Sequence, residues 1–121
     1  MKSDNIIEEK TFNLALRIIK LYKYLVQEKK EYIISKQIMR SGTSIGANVA
    51  EALEAQSKKD FIAKMSIALK EANETKYWLR LLIASEYIED RSGKSLKDET
   101  IEVIKILTAI LKSSRKHEIN V

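Results

Sequence analysis

No proline occurs in this chain of 121 residues, and glycine occurs only as Gly42, Gly46 and Gly93. These two residue types disfavour a helix interior most, by about 3 and about 1 kcal/mol relative to alanine. Apolar residues recur every three or four positions along most of the sequence, which is the spacing of one helix face. Few positions therefore force a helix to stop, and we predict an all-α fold.

The apolar period breaks at three places and divides the chain into four helices. We predict these helices at about residues 6–29, 32–55, 58–86 and 96–113. Ser57 with Asp60 and Ser95 with Asp98 have the spacing of capping residues, so they mark the starts of the third and fourth helices. Because short connections join antiparallel neighbours, we predict one domain, residues 1–121, that is an antiparallel up-down-up-down four-helix bundle.

The first helix carries two adjacent apolar stripes, which together form the wide apolar face of a bundle helix. The first stripe consists of Ile7, Thr11, Leu14, Ile18, Leu21 and Leu25. The second stripe consists of Phe12, Ala15, Ile19, Tyr22 and Val26. A face of this width is also available to another protein, so it leaves an assembly role open.

Several classes of enzyme site lack the residues that they need. Cysteine is absent, and the only histidine, His117, lies in a tail that we predict to be frayed after Ser113. A di-iron bundle site needs Glu-x-x-His pairs, and a Ser-His-Asp or Cys-His site needs a histidine base. No glycine-rich phosphate loop follows a strand. We therefore predict that the protein is not an enzyme and has no catalytic residue, metal or cofactor.

The charge and hydropathy of the chain bear on its partners. Lysine and arginine number 22 against 17 acidic residues, a net charge of +5. Such a charge permits a polyanionic partner, although it also serves solubility. No stretch is both long and uncharged enough to span a bilayer, and the absence of cysteine fits a reducing compartment. We expect a cytoplasmic protein with no membrane partner.

A row of polar residues lies beside the apolar seam of the second helix. Positions three or four apart share a helix face, and this face carries Gln37, Ser41, Ser44, Asn48 and Glu51. A polar row next to a core costs free energy unless its hydrogen bonds are satisfied. Arg40, Glu71 and Glu74 are the candidate partners. We expect a structural polar network, either within the subunit or at a subunit boundary.

Basic and aromatic residues are mixed at two places. Lys20 and Lys23 alternate with tyrosines in the first helix, and Lys70, Lys76 and Arg80 surround Tyr77 and Trp78 in the third. Lysine and arginine neutralise phosphates, and aromatic rings stack on unpaired bases. These five cations are the candidate nucleic-acid contacts. The alternative interpretation is a solvated face with aromatic residues at helix borders.

Two blocks of the sequence carry a resemblance to a known family. QIMRSGTSIGANVAEAL, residues 37–53, and SKKDFIAKMSIALKEANETKYWLRLL, residues 57–82, resemble the bacterial four-helix bundle proteins encoded in intervening sequences of large-subunit ribosomal RNA genes. A related branch includes the accessory variability protein of diversity-generating retroelements. One difference is that Ala52 follows Glu51, where many members have glycine.

The resemblance implies an antiparallel four-helix bundle that assembles into a homo-oligomeric ring, typically a pentamer. It also implies a basic surface for RNA or DNA and, in the retroelement branch, a reverse transcriptase as a partner. No catalytic residue is carried over from the family. Our leading hypothesis is a non-enzymatic oligomeric bundle that binds nucleic acid. The alternative is a scaffold module that binds protein only.

Overall fold

The computed structural model describes the backbone of residues 2–119 and the side chains of residues 6–116. It contains four helices: α1 (Lys2–Gln27), α2 (Ile34–Leu53), α3 (Lys58–Ala84) and α4 (Asp90–Ile119). The predicted all-α fold, an antiparallel four-helix bundle, is confirmed. Within the described residues no helix is long and apolar enough to cross a membrane.

The order of the helices around the bundle follows the order of the chain. α1 packs against α2, α2 against α3 and α3 against α4, and a thinner contact between α1 and α4 closes the ring of helices. α1 and α3 are therefore diagonal, so their solvent-facing surfaces point in opposite directions. Residues 28–33 and 85–89 connect helices at one end of the bundle, which we call the two-loop end.

The core consists of one buried side from each helix. The first apolar stripe of α1 is buried throughout, and it meets Ile38, Ile45 and Val49 of α2. The second stripe was predicted to complete a wide apolar face that packs in the bundle, but it is not fully buried. Phe12 at its start is 64 % exposed, and the other four residues are only partly buried. The four-helix layout provides α1 with neighbours on two sides only, so its outer edge faces solvent.

Both predicted ends of α4 were wrong, and α1 begins at Lys2, four residues before its predicted start. α4 begins at Asp90 rather than near residue 96, so Ser95 lies inside the helix and is not its cap. Gly93 does not break the helix, because a Cβ there would lie only 2.5 Å from Ile83 of α3 and the glycine lets the two helices approach. α4 also continues beyond 113 to Ile119, and Arg115 donates to the Ser66 hydroxyl of α3 at 3.1 Å.

The predicted capping of α3 is confirmed, whereas the cap of α2 was not predicted. The Ser57 hydroxyl accepts a hydrogen bond from the Asp60 N–H at 3.0 Å. At α2, the buried Glu31 carboxylate accepts from the N–H groups of residues 33, 34 and 35 at 3.1, 3.0 and 2.7 Å. Lys30 before it has a left-handed backbone, φ 54°. This arrangement satisfies three of the free N–H groups at a helix start and places that start at Ile34 instead of residue 32.

Two glycines of α2 face α1 but differ in the room around them. A Cβ at Gly42 would lie 2.7 Å from Cγ2 and 3.2 Å from Cβ of the buried Ile18 side chain. A Cβ at Gly46 would lie 3.4 Å from Thr11, which is ordinary contact. The branched base of Ile18 cannot move aside as a flexible chain end would. Gly42 therefore sets the distance between α1 and α2.

Gly42→Ala and Gly46→Ala form a matched pair that tests this difference. Gly42→Ala is expected to destabilise the protein by about 1–3 kcal/mol, the usual cost of overpacking a core, partly offset by the helix preference of alanine. Gly46→Ala is expected to be neutral or stabilising by up to about 1 kcal/mol. Urea unfolding of both variants gives the comparison, and equal losses would contradict it.

The Glu31 cap predicts a pH dependence. Burial opposes the charged form of Glu31, but hydrogen bonds from the backbone of Ile34, Ser35 and Ile33 outweigh burial, so the pKa of Glu31 is lowered from 4.5. Because its pKa is lowered on folding, Glu31 makes its whole contribution to the free energy of unfolding above about pH 4.5. That contribution is lost as the pH falls through the pKa of Glu31 in the folded state.

Glu31→Gln is therefore expected to lose about 0.5–2 kcal/mol at pH 7, as removal of a cap does. The difference from wild type should shrink at pH 3. The control is Glu28→Gln, an exposed glutamate of the same connection, which should stay within about 0.5 kcal/mol. A difference that is constant between pH 7 and pH 3 would refute the role of the charge.

Candidate nucleic-acid interface

The two groups of candidate nucleic-acid residues lie on opposite sides of the protomer. Lys20 and Lys23 are exposed on α1, while Lys70 and Arg80 are exposed on α3 and Lys76 is partly buried. Because α1 and α3 are diagonal in the bundle, one protomer does not present both groups on a single surface. The structure therefore separates the five candidates into an α1 set and an α3 set.

The α1 set belongs to a larger group of lysines at the two-loop end. Residues 20–36 contain five lysines and two glutamates. All five lysines are exposed, and none forms an ion pair with a described carboxylate. We call Lys20, Lys23, Lys29, Lys30 and Lys36 the hairpin lysines. Sequence reasoning missed the last three, because residues 29 and 30 were interpreted only as a break in the helical pattern.

Exposed apolar and aromatic side chains lie among the hairpin lysines. Tyr24, Tyr32 and Ile33 are 41 %, 55 % and 77 % exposed. The Lys29 ammonium lies 5.9 Å from the centre of the Tyr24 ring, which is at the outer limit of a cation–π contact. This end of the bundle therefore combines free cations with aromatic faces that solvent can reach.

Basic residues elsewhere are more often neutralised. Arg17 pairs with Glu99 and Lys10 with Glu102, each at 2.5 Å between α1 and α4. Lys64 of α3 pairs with Glu51 of α2 at 2.9 Å. The hydrogen bond to Glu102 and its charge raise the pKa of Lys10, and the same effects of Glu51 raise the pKa of Lys64. These pairs link helices along the side of the bundle and leave less free charge there.

Arg40 lies against the third-helix glutamates as the sequence suggested. Its guanidinium donates to the Glu71 carboxylate at 2.9 Å and also pairs with Glu74. The Trp78 indole N–H donates to the same Glu74 carboxylate at 3.0 Å. Arg40 is thus occupied inside the α2–α3 interface of one subunit, and it is less available to a phosphate than the hairpin lysines are.

The polar stripe of α2 does not form one continuous interhelical row. Ser41 is buried, and its hydroxyl lies 2.9 Å from that of Thr75 in α3. Ser44 and Asn48 are partly buried and bond to carbonyls of their own helix, at Arg40 and Ser44. Gln37 and Glu51 are exposed. Only part of the stripe therefore joins helices, through Arg40, Ser41 and the Glu51–Lys64 pair.

The described residues hold no cluster that suggests metal chemistry. No group of three histidine, cysteine, aspartate or glutamate side chains lies close enough to bind a metal ion in this part of the chain. Every buried side-chain nitrogen or oxygen that the structure describes has a hydrogen-bond partner. His117 lies outside the described side chains.

Comparison with known proteins agrees with this architecture. A family model described as 23S rRNA-intervening sequence protein matches residues 3–109. The chain belongs to this family. No curated protein matches it.

A crystal structure at 1.70 Å of a Bacteroides thetaiotaomicron protein of unknown function, from the S23 ribosomal protein family, is similar to this intervening-sequence protein. The two chains share 55 % identity with a TM-score of 0.89, over 91 % of this chain and 98 % of that one. Ala52, at the position where the resemblance leads us to expect glycine, is buried in the core one residue before α2 ends. The alanine therefore serves packing.

A double-mutant cycle tests the interhelical part of the polar stripe. Ser41→Ala and Thr75→Val are expected to show a coupling of about 0.5–1.5 kcal/mol in urea unfolding, because the two hydroxyls are direct partners. Thr75→Val combined with Ser44→Ala is the control. That pair should be additive within about 0.5 kcal/mol, and equal coupling in the two cycles would argue against the Ser41–Thr75 contact.

Proposed function

We propose that this intervening-sequence protein is a non-enzymatic, oligomeric helical bundle that binds RNA or DNA through its two-loop end. The observation that carries the proposal is the group of five exposed hairpin lysines around Tyr24 and Tyr32, none of which pairs with a carboxylate in the part of the chain that the structure describes. Lysines that neutralise phosphates release counterions, which supplies sequence-independent affinity. Tyrosine faces add stacking contacts to unpaired bases.

The positive charge of residues 20–36 is concentrated because one of the two acids in this stretch is already occupied, although residues 85–89 add the exposed Glu86 and Glu89 to the same end. Glu31 is buried at the start of α2, where its carboxylate accepts hydrogen bonds from three backbone N–H groups. Glu28 is then the only exposed carboxylate in residues 20–36. An approaching phosphate therefore meets five cations and one anion on this stretch, which favours attraction over repulsion.

The α3 set is a separate contact within this proposal. Lys70 and Arg80 flank Tyr77, which is half exposed, on the side of the bundle away from α1. One short strand bound at the hairpin lysines does not reach this side of the same protomer. The α3 set therefore serves a second segment of nucleic acid, or a contact with another protomer.

Exposed apolar residues support self-association. Phe12 and Leu16 lie one turn apart on the outer face of α1, and Ile67 is exposed on the opposite side, in α3. In a two-fold dimer each subunit contributes the same surface patch, so patches on opposite sides of the protomer cannot contact each other there. They fit a head-to-tail contact, which forms a ring where the rotation closes. We propose a homo-oligomeric ring, a pentamer by the family resemblance.

The same apolar face supports the second candidate function, a protein-only assembly or scaffold module. Such a module would use Phe12 and Leu16 to bind another protein, which in the retroelement branch would be a reverse transcriptase. The two functions differ in one property that is simple to measure. Nucleic-acid binding through lysines weakens as salt rises, and the scaffold has no such binding.

The hairpin lysines can be tested with a pair of double variants of equal charge. Lys29→Gln/Lys30→Gln removes two cations at the two-loop end, and Lys58→Gln/Lys59→Gln removes two exposed lysines at the other end of the bundle. The first should weaken binding of a labelled single-stranded RNA. It should also reduce the slope of log K against log salt by about 1.4, or about 0.7 for each lost phosphate contact. The second should leave both values close to wild type.

Three results would count against the proposal. Wild type that fails to bind RNA or DNA at low salt would favour the scaffold. Equal effects of the two double variants would mean that the charge is not localised at the two-loop end. Binding to phosphatidylserine vesicles without binding to nucleic acid would assign the basic end to a lipid surface. Light scattering of the same samples should give an assembly, and a monomer would remove the oligomeric part.

A further inference from the structure

A crevice between α1 and α4 opens at the two-loop end. Its volume is about 500 Å³, which is within the range of about 300–1,000 Å³ for small-ligand sites. A second hollow of about 370 Å³ adjoins it and shares Tyr24, Ile88 and Glu89 with it. The second hollow also reaches Lys29, so the crevice is continuous with the surface that carries the hairpin lysines.

The path of α4 explains why the crevice lies at this end. Gly93, in the first turn of α4, lets that turn come close to Ile83 of α3. The contact of α4 with α1 is thinner than its contact with α3, and the crevice lies on the α1 side. Further along, Arg17 of α1, which lines the crevice, bonds to Glu99 and Ser95 of α4 at 2.5 and 3.3 Å.

The lining of the crevice combines an apolar floor with polar groups on two sides. Leu21, Ile88 and Leu96 form the floor, and the partly exposed Tyr24 ring forms a wall. Lys20 brings positive charge to one side, where Arg17 is already paired with Glu99, while Glu89 and Ser92 bring acceptor groups to the other. A planar group can lie on the floor against Tyr24 while an attached anion reaches Lys20.

We propose that this crevice holds one unpaired base of a single-stranded nucleic acid, with the adjoining phosphate on Lys20. This inference rests on the proposed function and adds a preference for unpaired over duplex nucleic acid. The flat face of a base suits Tyr24 and the apolar floor, and its ring N–H or amino groups can donate to the Glu89 carboxylate. A base inside a duplex is stacked and paired on its polar edge, so it cannot enter the crevice without being extruded.

The Lys20 ammonium at the crevice favours a ligand that carries an anion, such as a nucleotide, over an uncharged apolar ligand. Lys20 forms no ion pair with a described carboxylate. In the adjoining hollow Lys29 lies beside Tyr24, and the acidic residues Glu86, Glu89 and Asp90 line the same hollow. A strand that leaves the crevice in that direction passes the other hairpin lysines. The base and the backbone of one strand would thus be bound by adjacent parts of the same surface.

Ser92→Trp tests the crevice without removing a lysine. Ser92 is an exposed residue in the lining, and an indole there fills the space for a base. The matched control is Asn73→Trp at an exposed position of α3 on the opposite side. The preference is measured by fluorescence anisotropy with three kinds of probe. These are a single strand, a series of the same strand with one abasic site moved along it, and the matching duplex.

Wild type and Asn73→Trp should bind the single strand about tenfold more tightly than the duplex, an effect typical of one stacked base. Ser92→Trp should lose this preference and keep the salt-dependent affinity for the duplex. Binding of both forms without a preference, or a preference that survives Ser92→Trp, would overturn the crevice assignment alone. Failure of wild type to bind either form would overturn the proposed function as well.

A second measurement does not depend on the variant. Adenosine monophosphate should shift the methyl NMR signals of Leu21, Ile88 and Leu96 in the wild-type protein, and inorganic phosphate should not. Equal shifts with phosphate alone, or no methyl shifts with the nucleotide, would show that the crevice does not take a base.

Discussion

The Glu31 carboxylate determines both the geometry and the charge of the two-loop end. By accepting three backbone N–H groups, it turns the chain sharply from α1 into α2 and leaves Lys29, Lys30 and Tyr32 on the outside. The positive end of the helix dipole favours a carboxylate at this place. The same bonds withdraw one negative charge from the surface, so Glu31 does not offset the five lysines of residues 20–36. A structural cap thus creates the feature that the proposed function needs.

The distribution of paired and unpaired cations shows why net charge alone says little about a binding surface. Several basic side chains of α1, α2 and α3 are held by carboxylates of neighbouring helices, as Lys10, Arg40 and Lys64 are. Such exposed pairs add little stability, but they reduce the positive field along the sides of the bundle. The hairpin lysines have no such partners among the described residues. Residues 20–36, with five lysines and two glutamates, are a local concentration of positive charge, while Glu86 and Glu89 of the other connection lie at the same end.

The sequence was sufficient for the four helices, the up-down order, the Ser57 cap and the approach of Arg40 to Glu71, because periodicity and local spacing determine these features. It was not sufficient for the start of α4 or the cap of α2. Gly93 has the sequence signature of a break, yet its role is a close contact with Ile83, which depends on tertiary packing. Glu31 bonds to residues two to four positions ahead of it, and Lys30 directly before it has a left-handed backbone. Spacing alone does not reveal either fact.

The proposed ring and the proposed nucleic-acid surface reinforce each other. A cyclic assembly relates its copies by rotation about one axis. If that axis runs along the helices, every two-loop end lies on the same face of the ring, and each copy adds its own hairpin lysines and crevice to that face. A strand that engages one copy is then held at high effective concentration near the next, so that avidity exceeds the affinity of a single end. The diagonal placement of α1 and α3 is what allows this arrangement, because it leaves the sides of each protomer for self-association and the end for nucleic acid.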